Sequence, residues 1–330
     1  MKVFTKAVTS ALLCASLAGC ASSTVQTEST ASSDFTVNSD GTYTVGIIQL
    51  VQHEALDAAS QGFTDALKDA FGDNVEVVLR NASNDTNQCI TIANQFVTDK
   101  VDLIMANSSS ALQAASSATA DIPILGTSVT EYGTALSIED FDGTVGNNIS
   151  GTSDLAPLDQ QAAMFEELLP DAQNIGILYC NAEANSVYQA EVVRSELEEM
   201  GKNVTIYTFS DSNDVSSVTQ QACSEVDAIY IPTDNTAASC TEAINNVALP
   251  SGVPIIAGEA GIMGGCGIAT LSIDYYELGV TTGEMAVRIL NGEEKVNEMP
   301  IEYYQNPVKK YDAERCEALG ITVPDGYEAA

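Results

Sequence analysis

The sequence predicts an α/β protein made of two similar lobes, each a parallel sheet flanked by helices. Three observations carry that expectation. From Tyr43 onward, short β-rich runs alternate with segments of helical period. The same order of runs occurs twice, at a nearly constant offset of about 130 residues. With 330 residues, 45% of them hydrophobic, the chain has apolar material for two packed cores.

The first repeat opens with Thr44-Val45-Gly46-Ile47-Ile48-Gln49, a strand. Over Ala55 to Leu67, the residues Leu56, Ala59, Phe63, Ala66 and Leu67 share one helical face. Then come the strand Val75-Glu76-Val77-Val78-Leu79, a helix carrying Ile90, Ala93, Phe96 and Val97, and the strand Val101-Asp102-Leu103-Ile104-Met105. A helix through Ala111–Ala118 leads to Ile122-Pro123-Ile124-Leu125. A βαβαβαβ order requires parallel strands covered by helices on both faces.

In the second repeat, Asn174-Ile175-Gly176-Ile177-Leu178-Tyr179 matches the first strand and Val187 to Met200 supplies a helix. Asn203-Val204-Thr205-Ile206-Tyr207, Val226-Asp227-Ala228-Ile229-Tyr230-Ile231 and Val253-Pro254-Ile255-Ile256 answer the later strands in order. Ile268–Ile273 and the helix Tyr276–Leu290 are expected to cross back to the first lobe, and the segment from Ala313 to the end returns to the second. Gly261-Ile262-Met263-Gly264-Gly265-Cys266-Gly267 reads as a β-turn region. The expected division is about 43–150 plus 273–304 for the N-terminal lobe and about 151–272 plus 305–330 for the C-terminal lobe. The two Rossmann-like lobes are then joined by a multi-crossing hinge, with a cleft between them.

The first twenty residues, MKVFTKAVTSALLCASLAGC, place Lys2 and Lys6 before an apolar run from Ala7 to Leu17, with small residues ending at Cys20. This is the pattern of an export signal, too short to span a bilayer. Leu17-Ala18-Gly19-Cys20 looks like a bacterial lipobox, so Cys20 is the expected lipidation site and lipid anchor. Residues 21–41, rich in Ser, Thr and Ala, read as a flexible tether.

Twelve basic residues stand against 46 acidic ones, a formal charge of −34. Such a surface repels phosphate backbones and anionic headgroups, so nucleic acid is excluded as a partner. One histidine, His53, and no C-x-x-C pair leave a metal site without support, and no nucleophile–base spacing or cofactor motif points to an enzyme. The six cysteines of the body, Cys89 to Cys316, sit among apolar or small neighbours and are expected to be mostly reduced.

Ligands of open parallel sheets sit beyond the strand carboxyl ends. Those loops hold Gln49 and His53, Asn107-Ser108-Ser109-Ser110, and Thr127, Ser128 and Thr130 in the first lobe. In the second they hold Glu183, Asn185 and Ser186, then Thr233-Asp234-Asn235, and Glu259. Hydroxyls and free N–H groups at Ser108, Ser109 and Ser110 make a cradle for one carboxylate, and Asp234 opposes it with negative charge. A donor cradle facing an acceptor carboxylate suits the head of an α-amino acid. The loops are nearly free of Arg and Lys, which disfavours phosphate or dicarboxylate ligands.

Several stretches carry a family resemblance. These are Val45-Gly46-Ile47-Ile48-Gln49 with His53-Glu54-Ala55-Leu56-Asp57-Ala58, Gly151-Thr152-Ser153-Asp154, Asn181-Ala182-Glu183-Ala184-Asn185-Ser186, Pro232-Thr233-Asp234-Asn235 and Ile273-Asp274-Tyr275-Tyr276-Glu277-Leu278-Gly279. Over Tyr43–Pro324 the chain resembles substrate-binding lipoproteins of ABC importers, in particular relatives of tryptophan-binding proteins. The resemblance implies the type I periplasmic-binding-protein fold, an apolar or aromatic amino acid as ligand, no cofactor, and delivery by a monomer to ABC permease subunits. It puts Ser109, Asn185, Ser186, Asp234 and Asn235 on ligand contacts, with Gln49 and Thr130 as further candidates. Ser109-Ser110 stand where the family often has Thr-Pro, which keeps a hydroxyl, and Glu131-Tyr132 where it often has Asp-Pro, which changes the pocket wall or its rim. The same fold could instead serve a surface receptor for a nucleoside, purine or sugar.

Overall fold

The computed structural model describes residues 41–330; the expected export signal, Cys20 and nearly all of the expected tether lie outside the described residues. The first lobe runs β1 (Tyr43–Gln49), α1 (Glu54–Phe71), β2 (Val75–Asn81), α2 (Thr86–Asp99), β3 (Leu103–Asn107), α3 (Ser109–Ala118), β4 (Ile124–Val129), α4 (Tyr132–Leu136) and β5 (Ile149–Ser153). The second runs α5 (Leu158–Leu168), β6 (Asn174–Cys180), α6 (Ala184–Glu199), β7 (Asn203–Phe209), α7 (Val215–Glu225), β8 (Ala228–Ile231), α8 (Asn235–Ala238) and α9 (Thr241–Ala248). It continues through β9 (Ile255–Ala257), α10 (Ala260–Cys266) and β10 (Ala269–Ser272). The chain ends with α11 (Tyr275–Leu290), β11 (Glu302–Tyr303), β12 (Val308–Tyr311), α12 (Ala313–Leu319) and β13 (Glu328–Ala329). Among the described residues no helix is long and apolar enough to cross a membrane.

Two sheets result. One has the order β11-β5-β4-β3-β1-β2 with every neighbouring pair parallel. The other has the order β13-β12-β10-β9-β8-β6-β7, parallel except for β10 against β12. The sequence repeat survives as a repeated hydrogen bond. Asp102 accepts from the Thr44 N–H at 2.7 Å, and its counterpart Asp227 from the Asn174 N–H at 2.8 Å, each tying a strand start to its neighbour.

Strand pleating sends alternate side chains to opposite faces. Val45, Ile47, Leu103 and Met105 pack under α1 and α11 with Phe63, Met285 and Ile289. Ile48, Ile104 and Ala106 pack against α2 and α3 with Phe96 and Leu112. The second sheet is covered likewise, by Phe165, Val193 and Leu197 on one face and by Phe209, Ile244 and Ile262 on the other.

The chain departs from its sequence reading at three places. β5 pairs with β4 through Ser153, so the first crossing falls after that residue and not at 150. The segment expected to cross back at Ile268 first adds β10 to the second sheet beside β9, and the return to the first lobe begins only with α11, which β11 follows. The glycine-rich stretch is the helix α10, not a turn: the Glu259 carboxylate accepts from the N–H groups of Gly261 and Ile262 at 2.7 and 2.6 Å, and that cap outweighs the poor helical propensity of glycine.

The contact of α1 with α11 fixes the returning helix. A Cβ at Gly62 would strike the Tyr276 carbonyl, and one at Gly279 the Ala59 carbonyl, so the two backbones approach closely. Thr282 of α11 closes a buried ring of hydroxyls with Thr127 and Thr152, at 2.8–3.2 Å. Gly279→Ala is expected to destabilise the protein by about 1–3 kcal/mol through overpacking. Gly264→Ala, in α10 with open space around it, should be neutral or stabilising by up to about 1 kcal/mol. Urea denaturation of both variants checks the contrast.

Candidate functional site

Both sheets reverse their strand order next to the first strand of each repeat, between β1 and β3 and between β6 and β8. The carboxyl ends of the strands at these switch points face one another across a narrow cavity. His53, Ala55, Leu56, Ser128, Asp154 and Tyr275 line it with Asn185, Thr233, Asp234, Asn235, Ala238 and Glu259. Two side-chain bonds span the lobes: His53 Nε2 with Asn235 Oδ1 at 3.2 Å, and Asn84 Nδ2 to Thr236 Oγ1 at 3.1 Å.

The second lobe's wall is held by two buried carboxylates. Glu183 accepts from the Asn235 N–H at 3.0 Å, its Nδ2 at 2.7 Å, the Thr236 N–H at 2.9 Å and its Oγ1 at 2.8 Å. Asp234 accepts from the Ala237 N–H and the Cys180 N–H, both at 2.7 Å. The loops after β6 and β8 are thereby locked together. Gln189 adds to this by taking the Thr233 N–H at 3.1 Å and donating to its carbonyl at 3.3 Å.

The first lobe's wall is less saturated. Ser128 occupies a bulge in β4, with φ of 52° where the register against β5 shifts. Bulges re-aim side chains, and the Ser128 hydroxyl is buried without a hydrogen-bond partner. His53 Nδ1 is in the same condition. Asp154, 4% exposed, accepts from the Tyr275 hydroxyl through Oδ2 at 2.9 Å. The Thr130 hydroxyl lies close enough to favour its charged form, yet Oδ1 has no hydrogen bond of standard geometry.

Of the nine ligand candidates read from the sequence, Asn185, Asp234 and Asn235 line the cavity. Both oxygens of Asp234 are committed to backbone donors, so it braces the wall. Gln49 lies beneath the site and is fully engaged, donating to the Val51 carbonyl and to Asp57 and accepting from Ser60. Ser108 caps α3 through the Ala111 N–H at 3.1 Å. Ser109, next to it, is buried with its hydroxyl unpartnered, whereas Ser110 is only half-buried. Ser186 is buried beside Asp234, and Thr130 beside Asp154. The sequence loops also contained His53, Ser128, Thr233 and Glu259, and Asp154 and Tyr275 lay in the resembling motifs. A buried oxygen lacking a donor is a property of three-dimensional packing, and no spacing in the chain announces it.

Burial pushes the carboxyls of Asp154 and Glu259 above the usual range, with the His53 ring opposing the shift at Glu259. Asp234 is pushed up to about 8, by burial first and by the Glu183 carboxylate second. The native state therefore retains protons that the unfolded chain has released, and these groups reduce stability as pH rises toward 8. Thermal unfolding of the purified protein should show Tm increasing as pH is lowered from about 8 to about 5. A Tm that falls over that window would contradict the assignment.

The family model for ABC transporter substrate binding proteins matches residues 44–328. The chain is 37% identical over 263 residues to the tyrosine-binding protein of Clostridioides difficile (strain R20291), covering 78% of this chain and 75% of that one. The solved ABC domain in complex with L-Trp from Streptococcus pneumonia superposes with a TM-score of 0.83 at 29% identity, covering 88% of this chain and 100% of that one. The ligand-free, open structure of a substrate-binding protein with adhesive properties from Clostridium difficile gives 0.67 at 35% identity, over 87% and 99%. Superposition is better on the L-Trp complex although identity is lower, in keeping with lobes drawn together by the His53–Asn235 and Asn84–Thr236 bonds. With the strand-end cavity, the two-lobe fold and a match spanning nearly all of the described residues, the chain belongs to the ABC transporter substrate-binding proteins, a family that binds rather than transforms its ligand.

Proposed function

We propose that this protein is the extracytoplasmic receptor of an ABC importer, anchored by lipid at Cys20, and that it captures an aromatic amino acid between its lobes. The carrying observation is Asp154 Oδ1, a buried carboxylate oxygen without a donor in a cavity lined by no Arg or Lys. An ammonium group supplies that missing donor as a charge-assisted hydrogen bond. The unpartnered hydroxyl of Ser128, in the cavity wall, provides a donor for the ligand's carboxylate. Tyr275, Leu56, Ala55 and Ala238 offer apolar surface for a side chain. The likenesses to a tyrosine-binding protein and to a complex with L-Trp support an aromatic ligand.

Because each lobe contributes part of the wall, the ligand binds the closed state better than the open one and shifts the population toward closure. Permease subunits in the membrane then receive a closed, loaded receptor. One copy of the chain supplies both walls, so a monomer suffices.

Isothermal titration against the twenty amino acids tests the reading, with L-tyrosine and L-tryptophan expected to bind and the deaminated analogue 3-(4-hydroxyphenyl)propanoate not. Asp154→Asn should weaken binding by roughly 3–5 kcal/mol, because the ammonium would be buried without its counter-charge. Binding by none of the amino acids, or wild-type affinity in that variant, overturns the proposal, as does a nucleoside or sugar retained from the expression host. Cys20→Ser should move the protein from the membrane fraction to the soluble fraction of lysed cells.

A further inference from the structure

We infer that Tyr275 is a positioning residue that orients Asp154 for the ligand's ammonium group and ties that charge to the hinge. The inference rests on the reading of Asp154 given above. Asp154 is the first residue after β5 and so begins the first crossing between lobes, which leads into α5. Tyr275 opens α11, directly after the second crossing brings the chain back from β10. Their side chains meet at 2.9 Å, so one hydrogen bond clasps two hinge segments whose residues lie 121 positions apart.

The phenol donates to Oδ2, and Oδ1 is left buried without a hydrogen bond of standard geometry. Its ring is set among Ala55, Ala59, Ile273 and Leu278, where α1 meets α11. The carboxylate is held from the other side, where the Asp154 N–H donates to the Val129 carbonyl at 3.3 Å and the Ser153 hydroxyl to the Thr130 carbonyl at 2.8 Å. Both partners are therefore held by the first lobe, Asp154 through β4 and Tyr275 through the packing of α11 on α1, so the bond fixes the carboxylate relative to that wall. The phenol also favours the charged carboxylate, against the effect of burial. Other groups face Asp154 or share its cavity: Thr130 and Tyr132 beside it, and His53, Asp234 and Glu259 around the walls.

The test is titration of the purified protein with L-tyrosine as a function of pH, for wild type, Tyr275→Phe, Asp154→Asn and the double variant. Tyr275→Phe should weaken binding about 10- to 100-fold, the range for a lost hydrogen bond to a charged group. It should also move the acid-side loss of affinity to higher pH, because Asp154 then protonates more readily. His53, Asp234 and Glu259 are present in both proteins, so the difference between the two profiles reports on Asp154. In the Asp154→Asn background the Phe substitution should cost little more; a loss that persists there marks a general folding defect and overturns the inference. Thermal melts confirm that each variant folds. Weak binding by Asp154→Asn with an unchanged Tyr275→Phe overturns this inference alone, and wild-type binding by Asp154→Asn overturns both.

Discussion

Burying a carboxylate costs several kcal/mol unless donors surround it, and four carboxylates lie in or behind the walls of one cleft in this protein. Glu183, Asp234 and Glu259 meet that cost with backbone N–H groups at the starts of α8 and α10 and with the Cys180 N–H. Asp154 meets only part of it, through the Tyr275 hydroxyl. The first three carboxylates are structural because their oxygens are used. The fourth alone keeps an oxygen with no hydrogen bond of standard geometry.

This division also assigns the two walls different tasks. The second lobe's loops are cross-braced by Glu183, Gln189 and Asp234 into a rigid face. The first lobe contributes the polar atoms still in need of partners, at His53, Ser109, Ser128 and Asp154. A ligand that satisfies these atoms while touching the braced face holds the lobes together. The close approach of α1 to α11, possible because Gly62 and Gly279 lack side chains, keeps the returning helix fixed relative to the first sheet. Asp154 and Tyr275 stand at two of the crossings between the lobes.

Much of the architecture was legible in the chain. The paired runs beginning at Thr44 and Asn174, and the paired Asp102 and Asp227, became two parallel sheets with matching ladders. The helix α10 was not legible, because its glycines signal a turn and only the capping Glu259 stabilises a helix there. The destination of β10 was equally hidden, since an apolar strand pairs with whichever sheet edge lies nearest.

At the site, residue type and loop position collected part of the lining, Asn185, Asp234 and Asn235 with His53, Ser128, Thr233 and Glu259, but not Asp154. Periodicity and spacing determined the fold, the duplication and the strand ends that frame the cavity, because these follow from short-range preferences repeated along the chain. Tertiary structure alone decided which polar groups are spent and which are left over. Ser108 caps a helix, Asp234 braces two loops and Gln49 supports the floor, whereas Ser128 is turned inward by a bulge and Asp154 is matched to a tyrosine 121 residues away. Hydrogen-bond satisfaction is a sum over neighbours in space, and those neighbours come from segments distant in sequence.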